Sequence, residues 1–231
     1  MLFADRREAG KLLAARLQAF QHENPIVLGL PRGGLPVGFE IASALGAPLD
    51  LVLVRKIGVP LHEELALGAI ADGGTPELVI DQDLKESLNV PQDYIDEAKS
   101  DALHEIERRR RVYLGNRPSL EIAGRTVILT DDGIATGSTM QAALRATRRR
   151  HPASLILAVP VAPADTIRHL AREVDEIVCL YTPQHFQAVG QFYRSFPQLC
   201  DEDVIALLKL ANKSGDNPPQ EHKRRQSPSR A

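Results

Sequence analysis

Apolar strand-like runs alternate with helical patterns along this chain, and that alternation predicts an α/β fold with a mainly parallel, helix-covered sheet. Residues 25–30 lead through Pro31-Arg32-Gly33-Gly34 into a helical pattern over residues 37–45. Residues 127–129 lead through a polar loop into a second such pattern over residues 140–150, and residues 154–160 into a third over residues 164–174. Strand, loop and helix in that repeated order produce parallel strands joined by right-handed crossovers.

The elements follow in order. A first helix is expected over residues 6–20, where Ala9, Leu12, Leu13, Arg16 and Leu17 recur at helical spacing. After the strand at residues 25–30, Pro36 falls near the first turn of the next helix, where its fixed φ and missing N–H are tolerated. Residues 51–57 read as a buried strand that turns cationic at Arg55 and Lys56. Ala123-Gly124 marks a turn before the strand at 127–129, and residues 177–181 close the sheet. Two regions interrupt the alternation. Residues 58–118 hold His62-Glu63-Glu64, glycines 68, 73 and 74, and a long polar helix over residues 91–114; residues 182–200 hold Phe186, Phe192, Tyr193 and Phe196 in a chain of only 6 Phe, 4 Tyr and no Trp. The expected domain is residues 1–210, followed by a disordered tail over 211–231 that is rich in Gly, Pro, Lys, Arg and Ser from Ser214 on.

Composition narrows the function. At 231 residues the chain can bury one full core and is short for two. Its formal net charge of −2 supplies no global field for nucleic acid or an anionic membrane. No apolar run reaches membrane-spanning length and the first residues lack a secretion signal's apolar core, so a cytoplasmic location is expected. Cys179 and Cys200 are unpatterned and read as ordinary thiols. The run Arg108 to Arg111 looks like a nucleic-acid patch, but Glu105 and Glu107 lie four residues before Arg109 and Arg111 and pair part of its charge. A solvated or dimer-facing helix is favoured over an RNA site.

Most informative is Val127-Ile128-Leu129-Thr130-Asp131-Asp132-Gly133-Ile134-Ala135-Thr136-Gly137-Ser138-Thr139. Gly137 lets backbone approach an anion, and Ser138 or Thr139 can cap the helix whose unpaired N–H groups attract phosphate. Asp131 and Asp132 would repel a phosphate set directly against them and call for sugar hydroxyls or magnesium instead. A ribose with a phosphate at one end and a diol at the other satisfies both halves. The plainer reading, a strand ending in Asp-Asp before an ordinary helix as in a receiver domain, has no use for the Thr136-to-Thr139 turn. In the earlier loop, Gly33 and Gly34 free backbone amides to converge on an anion, and Arg32 adds charge that a merely structural turn does not need.

The 127–139 segment resembles the signature of the type I phosphoribosyltransferases, which use 5-phosphoribosyl 1-diphosphate. It departs at Thr130, where the family usually has an apolar residue, and at Gly133, where it usually has a branched aliphatic one. The resemblance spans roughly residues 25–181 and implies transfer of ribose 5-phosphate to a small-molecule acceptor with release of pyrophosphate. Magnesium would sit on the diphosphate and ribose hydroxyls, with Asp131 and Asp132 as its possible protein contacts. The 5′-phosphate would bind Ala135, Thr136, Gly137, Ser138 and Thr139, and the diol Asp131 and Asp132. Pyrophosphate would bind Arg32, Gly33 and Gly34, often across a cis peptide, here Pro31–Arg32. Arg55 or Lys56 would balance the leaving charge. Residues 58–74 would be a mobile flap, with Glu63 and Glu64 as its carboxylates, or else a solvated loop. The 182–200 segment would be a hood in which Phe186 or Phe192 stacks the acceptor, or else core packing. Ala135 stands where 6-oxopurine enzymes carry an Asp, and no Lys occurs in residues 155–163, so hypoxanthine and guanine are disfavoured. The expected assembly is a homodimer. Two alternatives remain: a regulatory module of the same fold that binds the diphosphate without turnover, and a nucleoside-phosphate hydrolase or phosphorylase.

Overall fold

The computed structural model describes residues 2–60, 62–72 and 76–215, with the side chains of residues 63, 64 and 212–215 outside that description. In chain order the elements are α1 (Arg6–Arg16), β1 (Ile26–Gly29), α2 (Gly34–Leu45), β2 (Leu49–Leu51), β3 (Val54–Val59), β4 (His62–Ala71), β5 (Glu77–Ile80) and α3 (Gln82–Ser87). They continue with α4 (Gln92–Leu114), β6 (Thr126–Thr130), α5 (Ser138–Arg148), β7 (Ser154–Val161), α6 (Ala164–Leu170), β8 (Glu176–Tyr181) and α7 (Asp201–Gly215). Five strands form a parallel sheet in the order β2-β1-β6-β7-β8. It is flanked by helices, as the alternation predicted.

Period-2 alternation of apolar side chains divides the core between the sheet's faces. Val27, Ile128, Ile156 and Ala158 share one cluster with α1, α2, α4 and α7, whereas Ile26, Leu28, Val127, Leu129, Leu155 and Leu157 share another with α5 and α6. Both faces are covered, so each strand is apolar throughout rather than alternating with polar residues. Asp5 caps α1 by accepting from the Glu8 amide at 2.9 Å, and Gly46, at φ 64°, ends α2 in the left-handed conformation. No helix among the described residues is long and apolar enough to cross a membrane.

Several expectations need correction. The first helix stops at Arg16, and Gln18–Glu23 form a separate 3₁₀ segment. The apolar run over residues 51–57 is not one strand. The Val52 amide still bonds to Gly29 in the parallel sheet, but the Leu53 carbonyl accepts from Asp72, which carries the chain into a second, antiparallel sheet ordered β3-β4-β5. Arg55 and Lys56 therefore belong to a hairpin, not to the carboxyl end of a parallel strand. The flap is likewise a paired hairpin: β3 runs against β4 from Val54 opposite Ala71 to Val59 opposite His62. Ile57, Val59 and Leu67 bury a small core with Val90 and Ile95 beneath α4. Gly68 is no hinge, because a Cβ there would overlap the Val79 carbonyl of the adjacent β5. Gly73, Gly74 and the Glu63 and Glu64 side chains lie outside the described residues. The tail boundary at 211 also moves, since α7 continues through Gly215, anchored by Val204 and Leu208 in the main core; residues 216–231 lie outside the described residues.

Thr130, one of the two departures from the signature, is fully buried, and its hydroxyl has no hydrogen-bond partner among the described residues. An unsatisfied buried hydroxyl costs about 1–3 kcal/mol. Thr130→Val should therefore stabilise the chain by about 1 kcal/mol, raising its melting temperature by roughly 2–4 °C. Thermal unfolding checks this, and a lowered midpoint would show that the hydroxyl is satisfied in solution.

Candidate active site

The acidic pair and the Arg-Gly-Gly turn are brought together by strand pairing. They follow β6 and β1, which are neighbours with Gly29 opposite Thr130, at the carboxyl ends where ligands of open α/β sheets bind. The Leu30 amide donates to the Thr130 carbonyl at 3.0 Å and the Gly34 amide to the Leu30 carbonyl at 2.8 Å, locking turn and strand end together. The Pro31–Arg32 peptide is cis. A Cβ on Gly33 would lie 2.8 Å from Asp132 Oδ1 and closer still to Oδ2; one on Gly34 would lie 2.6 Å from the Thr130 carbonyl oxygen. Only glycine lets the turn approach the carboxylates this closely.

Burial raises the pKa of Asp131 well above the usual carboxylate range, and the charge of Asp132 adds to the rise. Asp132 is also raised by burial, against the pull of a hydrogen bond from Arg6. Such a group stabilises the fold fully only below its unfolded pKa, about 3.9, and that stability is lost as pH rises through the folded value. Asp131→Asn should accordingly raise the melting temperature at neutral pH by roughly 2–4 °C, the size expected for about 1 kcal/mol. The gain should shrink as pH falls toward 4. Thermal melts from pH 4 to 8 test this, and a gain that grows on acidification would contradict the burial argument.

Arg6, at the start of α1, was not legible as a site residue. It is 8% exposed. Its Nε donates to Asp132 Oδ2 at 2.7 Å, its Nη1 donates to the Pro197 carbonyl at 2.9 Å, and its guanidinium lies 3.7 Å over the Phe196 ring. The Tyr193 hydroxyl donates to the Asp132 carbonyl at 2.5 Å, and burial pushes its pKa up, so it remains a donor. The hood is thus tied to the acidic pair from above. Gly133, the second departure from the signature, serves the same contact: a Cβ there would lie 2.6 Å from Val189 Cγ1, so the hood fills the space of the missing aliphatic side chain.

Beyond the acids, Ala135 to Thr139 wrap the amino end of α5. Gly137 has φ 89°, and a Cβ on it would meet Thr166 Cγ2 at 2.9 Å, so glycine is required by conformation and by space. The Thr166 hydroxyl steadies the loop by donating to the Ala135 carbonyl at 2.8 Å. No backbone hydrogen bond of the described residues uses the amides of Ala135, Thr136 or Gly137. Unpaired amides at a helix amino end are donors of the kind that anions accept from.

Other expected residues are placed differently. Arg32 Nε donates to Asp201 Oδ1 at 3.0 Å and Nη1 to the Leu199 carbonyl at 2.8 Å, while Tyr113 donates to the same Asp201 oxygen at 2.6 Å. The unforeseen helix α7 therefore orients the turn's arginine. Its signal was present: three acids, Asp201, Glu202 and Asp203, precede Val204, Leu207 and Leu208 at helical spacing. Arg55 and Lys56 line a cavity of about 530 Å³ between the hairpin and α4 that reaches Thr139 but none of the acidic pair. Phe186 packs on Phe192 at a centroid distance of 5.4 Å within the hood cluster of Phe3, Val161 and Tyr193. Both phenylalanines serve as hood packing, and the aromatic wall beside the turn is Phe196. Each member of Arg108 to Arg111 is ion-paired, Arg108 and Arg109 to Glu105, Arg110 to Asp72 and Arg111 to Glu107. Hydrogen bonds from Arg108, the larger influence, and from Arg109 hold the Glu105 carboxyl down at about 2.

Comparison with known proteins accords with this geometry. A Mycobacterium tuberculosis protein provisionally named phosphoribosyl transferase Rv0571c is 42% identical over 212 residues, and its counterpart MT0597 in a second strain matches equally. The alignment covers 92% of this chain, which spans 47% of the length of those relatives. The crystal structure of TT1426 from Thermus thermophilus has 43% identity and a TM-score of 0.75, covering 90% of this chain and 98% of that one. The family model described as phosphoribosyl transferase domain matches residues 4–194, taking in Arg6, the Arg-Gly-Gly turn, the acidic pair and the hood as far as Arg194. This chain is therefore a member of the phosphoribosyl transferase domain family.

Proposed function

We propose that the chain transfers ribose 5-phosphate from 5-phosphoribosyl 1-diphosphate to a nitrogen nucleophile. The observation that carries this reading is the closure of the Gly33–Gly34 backbone onto Asp132, directly before the anion cradle of Ala135 to Thr139. The ribose 5′-phosphate binds that cradle, and the diol bonds to Asp131 and Asp132. The diphosphate lies against Arg32, Gly33 and Gly34, whose positive groups stabilise charge as it leaves. The bond from ribose C1 to the diphosphate oxygen breaks with its electron pair going to pyrophosphate. The acceptor nitrogen supplies the pair for the new bond to C1, and any displaced N–H proton passes to water. Arg55 and Lys56 on the hairpin add positive charge near Thr139, and the Glu63 backbone belongs to the same hairpin.

Magnesium fits this site. Two partly buried carboxylates with raised pKa values form a hard oxygen donor set, and no group of three or more His, Cys, Asp or Glu among the described residues makes a closed metal cage. Magnesium commonly binds through one or two carboxylates together with substrate phosphates and water. Bound there, it would neutralise charge on the diphosphate. Asp131 and Asp132 are the residues that would hold it, directly or through the ribose hydroxyls.

The test is release of labelled pyrophosphate from 5-phosphoribosyl 1-diphosphate with magnesium, against a panel of nitrogenous bases and cell extract. Acceptor-dependent release supports transfer. Tight donor binding by calorimetry without release from any mixture would favour the regulatory module, and absence of donor binding would remove both readings.

A further inference from the structure

A cavity of about 470 Å³ opens beside the turn, and among the described residues its wall includes Arg6, Arg32, Arg109 and Phe196 but no carboxylate. The arginines arrive from three places in the chain: α1, the turn after β1, and α4. Each is gripped by an acid that does not line the cavity: Asp132 holds Arg6, Asp201 holds Arg32 and Glu105 holds Arg109. These pairings fix the guanidinium positions and offset their mutual repulsion. They also leave donors unused. Among the described residues no hydrogen bond is made by Nη2 of Arg6 or either Nη of Arg109, whereas Arg32 is also hydrogen-bonded with Tyr113. Planar guanidinium forks held in this way match an oxyanion in two-point geometry, and less entropy is lost because they are already ordered.

Resting on the transferase reading above, we infer that this cavity is the acceptor's subsite and that the acceptor carries an oxyanion group. The donor's diphosphate is provided for by Arg32, the turn's backbone and the acidic pair's cation. Arg6 and Arg109 lie on other elements, and the Phe196 wall belongs to the hood. The nitrogen that attacks C1 would be carried on a molecule whose acidic group is anchored on Arg6 and Arg109. The adjoining cavity, which shares Arg32, contains Asp201 and Glu202, so an anion is directed to the Arg6 and Arg109 side.

The probes are matched acids and neutral analogues, orotate with uracil and nicotinate with nicotinamide, titrated into the full chain while the Nε–Hε resonances of the arginines are followed. Saturable shifts at Arg6 and Arg109 with the acids, at least tenfold weaker with the neutral partners, are expected. Arg109→Gln should weaken the acid response about tenfold and leave donor affinity unchanged, because among the described residues Arg109 hydrogen-bonds to Glu105 and to neither Asp132 nor the turn. Equal response to neutral analogues, or none to the acids, would overturn the inference. Competition by inorganic pyrophosphate for the same resonances would also overturn it, by assigning the cavity to the leaving group. Donor affinity is measured separately by calorimetry, so failure of the transferase reading is distinguishable from failure of the acid subsite.

Discussion

Gly33→Ala should abolish most transfer while the chain remains folded. The added methyl would enter the space of the Asp132 carboxylate, 2.8 Å from Oδ1 and nearer to Oδ2. A carboxylate is the end of a side chain and can rotate away, but doing so breaks its 2.7 Å pairing with Arg6 and withdraws it from the ribose position. Misplacement of about 1 Å at a reacting centre costs about 100-fold in rate, so kcat/KM should fall by about that factor or more. The control is Gly34→Ala. Its methyl would lie 2.6 Å from the Thr130 backbone carbonyl, which is held in the sheet and cannot give, so this variant should lose stability as well as activity. Steady-state kinetics with thermal melts separate the two. Wild-type rates in Gly33→Ala would show that the turn does not close on the acidic pair in solution.

Asp132→Asn should weaken binding of 5-phosphoribosyl 1-diphosphate by about 1–3 kcal/mol, the range for losing a charged hydrogen-bond partner. That is roughly 5- to 150-fold in dissociation constant. A second consequence follows from the coupling of the acids. Part of the rise in the Asp131 pKa comes from repulsion by Asp132, and the substitution removes that charge. Asp131 should then ionise at lower pH, so the acid limb of the binding profile should move downward although overall affinity falls. Calorimetry across pH reads both effects. Unchanged affinity would remove the assignment of the acidic pair to the ribose diol.

Much of this architecture was legible from residue order. The parallel strands were marked by runs such as residues 25–30 and 154–160, because a sheet covered on both faces requires apolar side chains in both directions. The loop proposed to hold phosphate, Ala135 to Thr139, was legible as a turn into a helix because it is one continuous segment, and α5 begins at Ser138. The long helix α4 was legible from its pattern, and so were the pairings of Glu105 with Arg109 and Glu107 with Arg111, which depend only on helical spacing. The second sheet was less accessible. Whether residues 51–57 continue one strand depends on where the Leu53 carbonyl finds its partner, and that partner is Asp72, far along the chain.

By itself the sequence determined the α/β class and the residue types of the two loops proposed to bind anions, since each is a property of a contiguous segment with its own conformational requirements. The tertiary structure decided which loops meet. The pairing of β1 with β6 sets Gly33 against Asp132, and the docking of α1 carries Arg6 to an acid 126 residues away. Helix α7 brings Asp201 to Arg32, and the hood presents Phe196 rather than Phe186 beside the turn. Such contacts join segments whose separation leaves no periodic trace. They arise when burial of the shared core fixes the segments in space, and side-chain charge and shape then determine the partners.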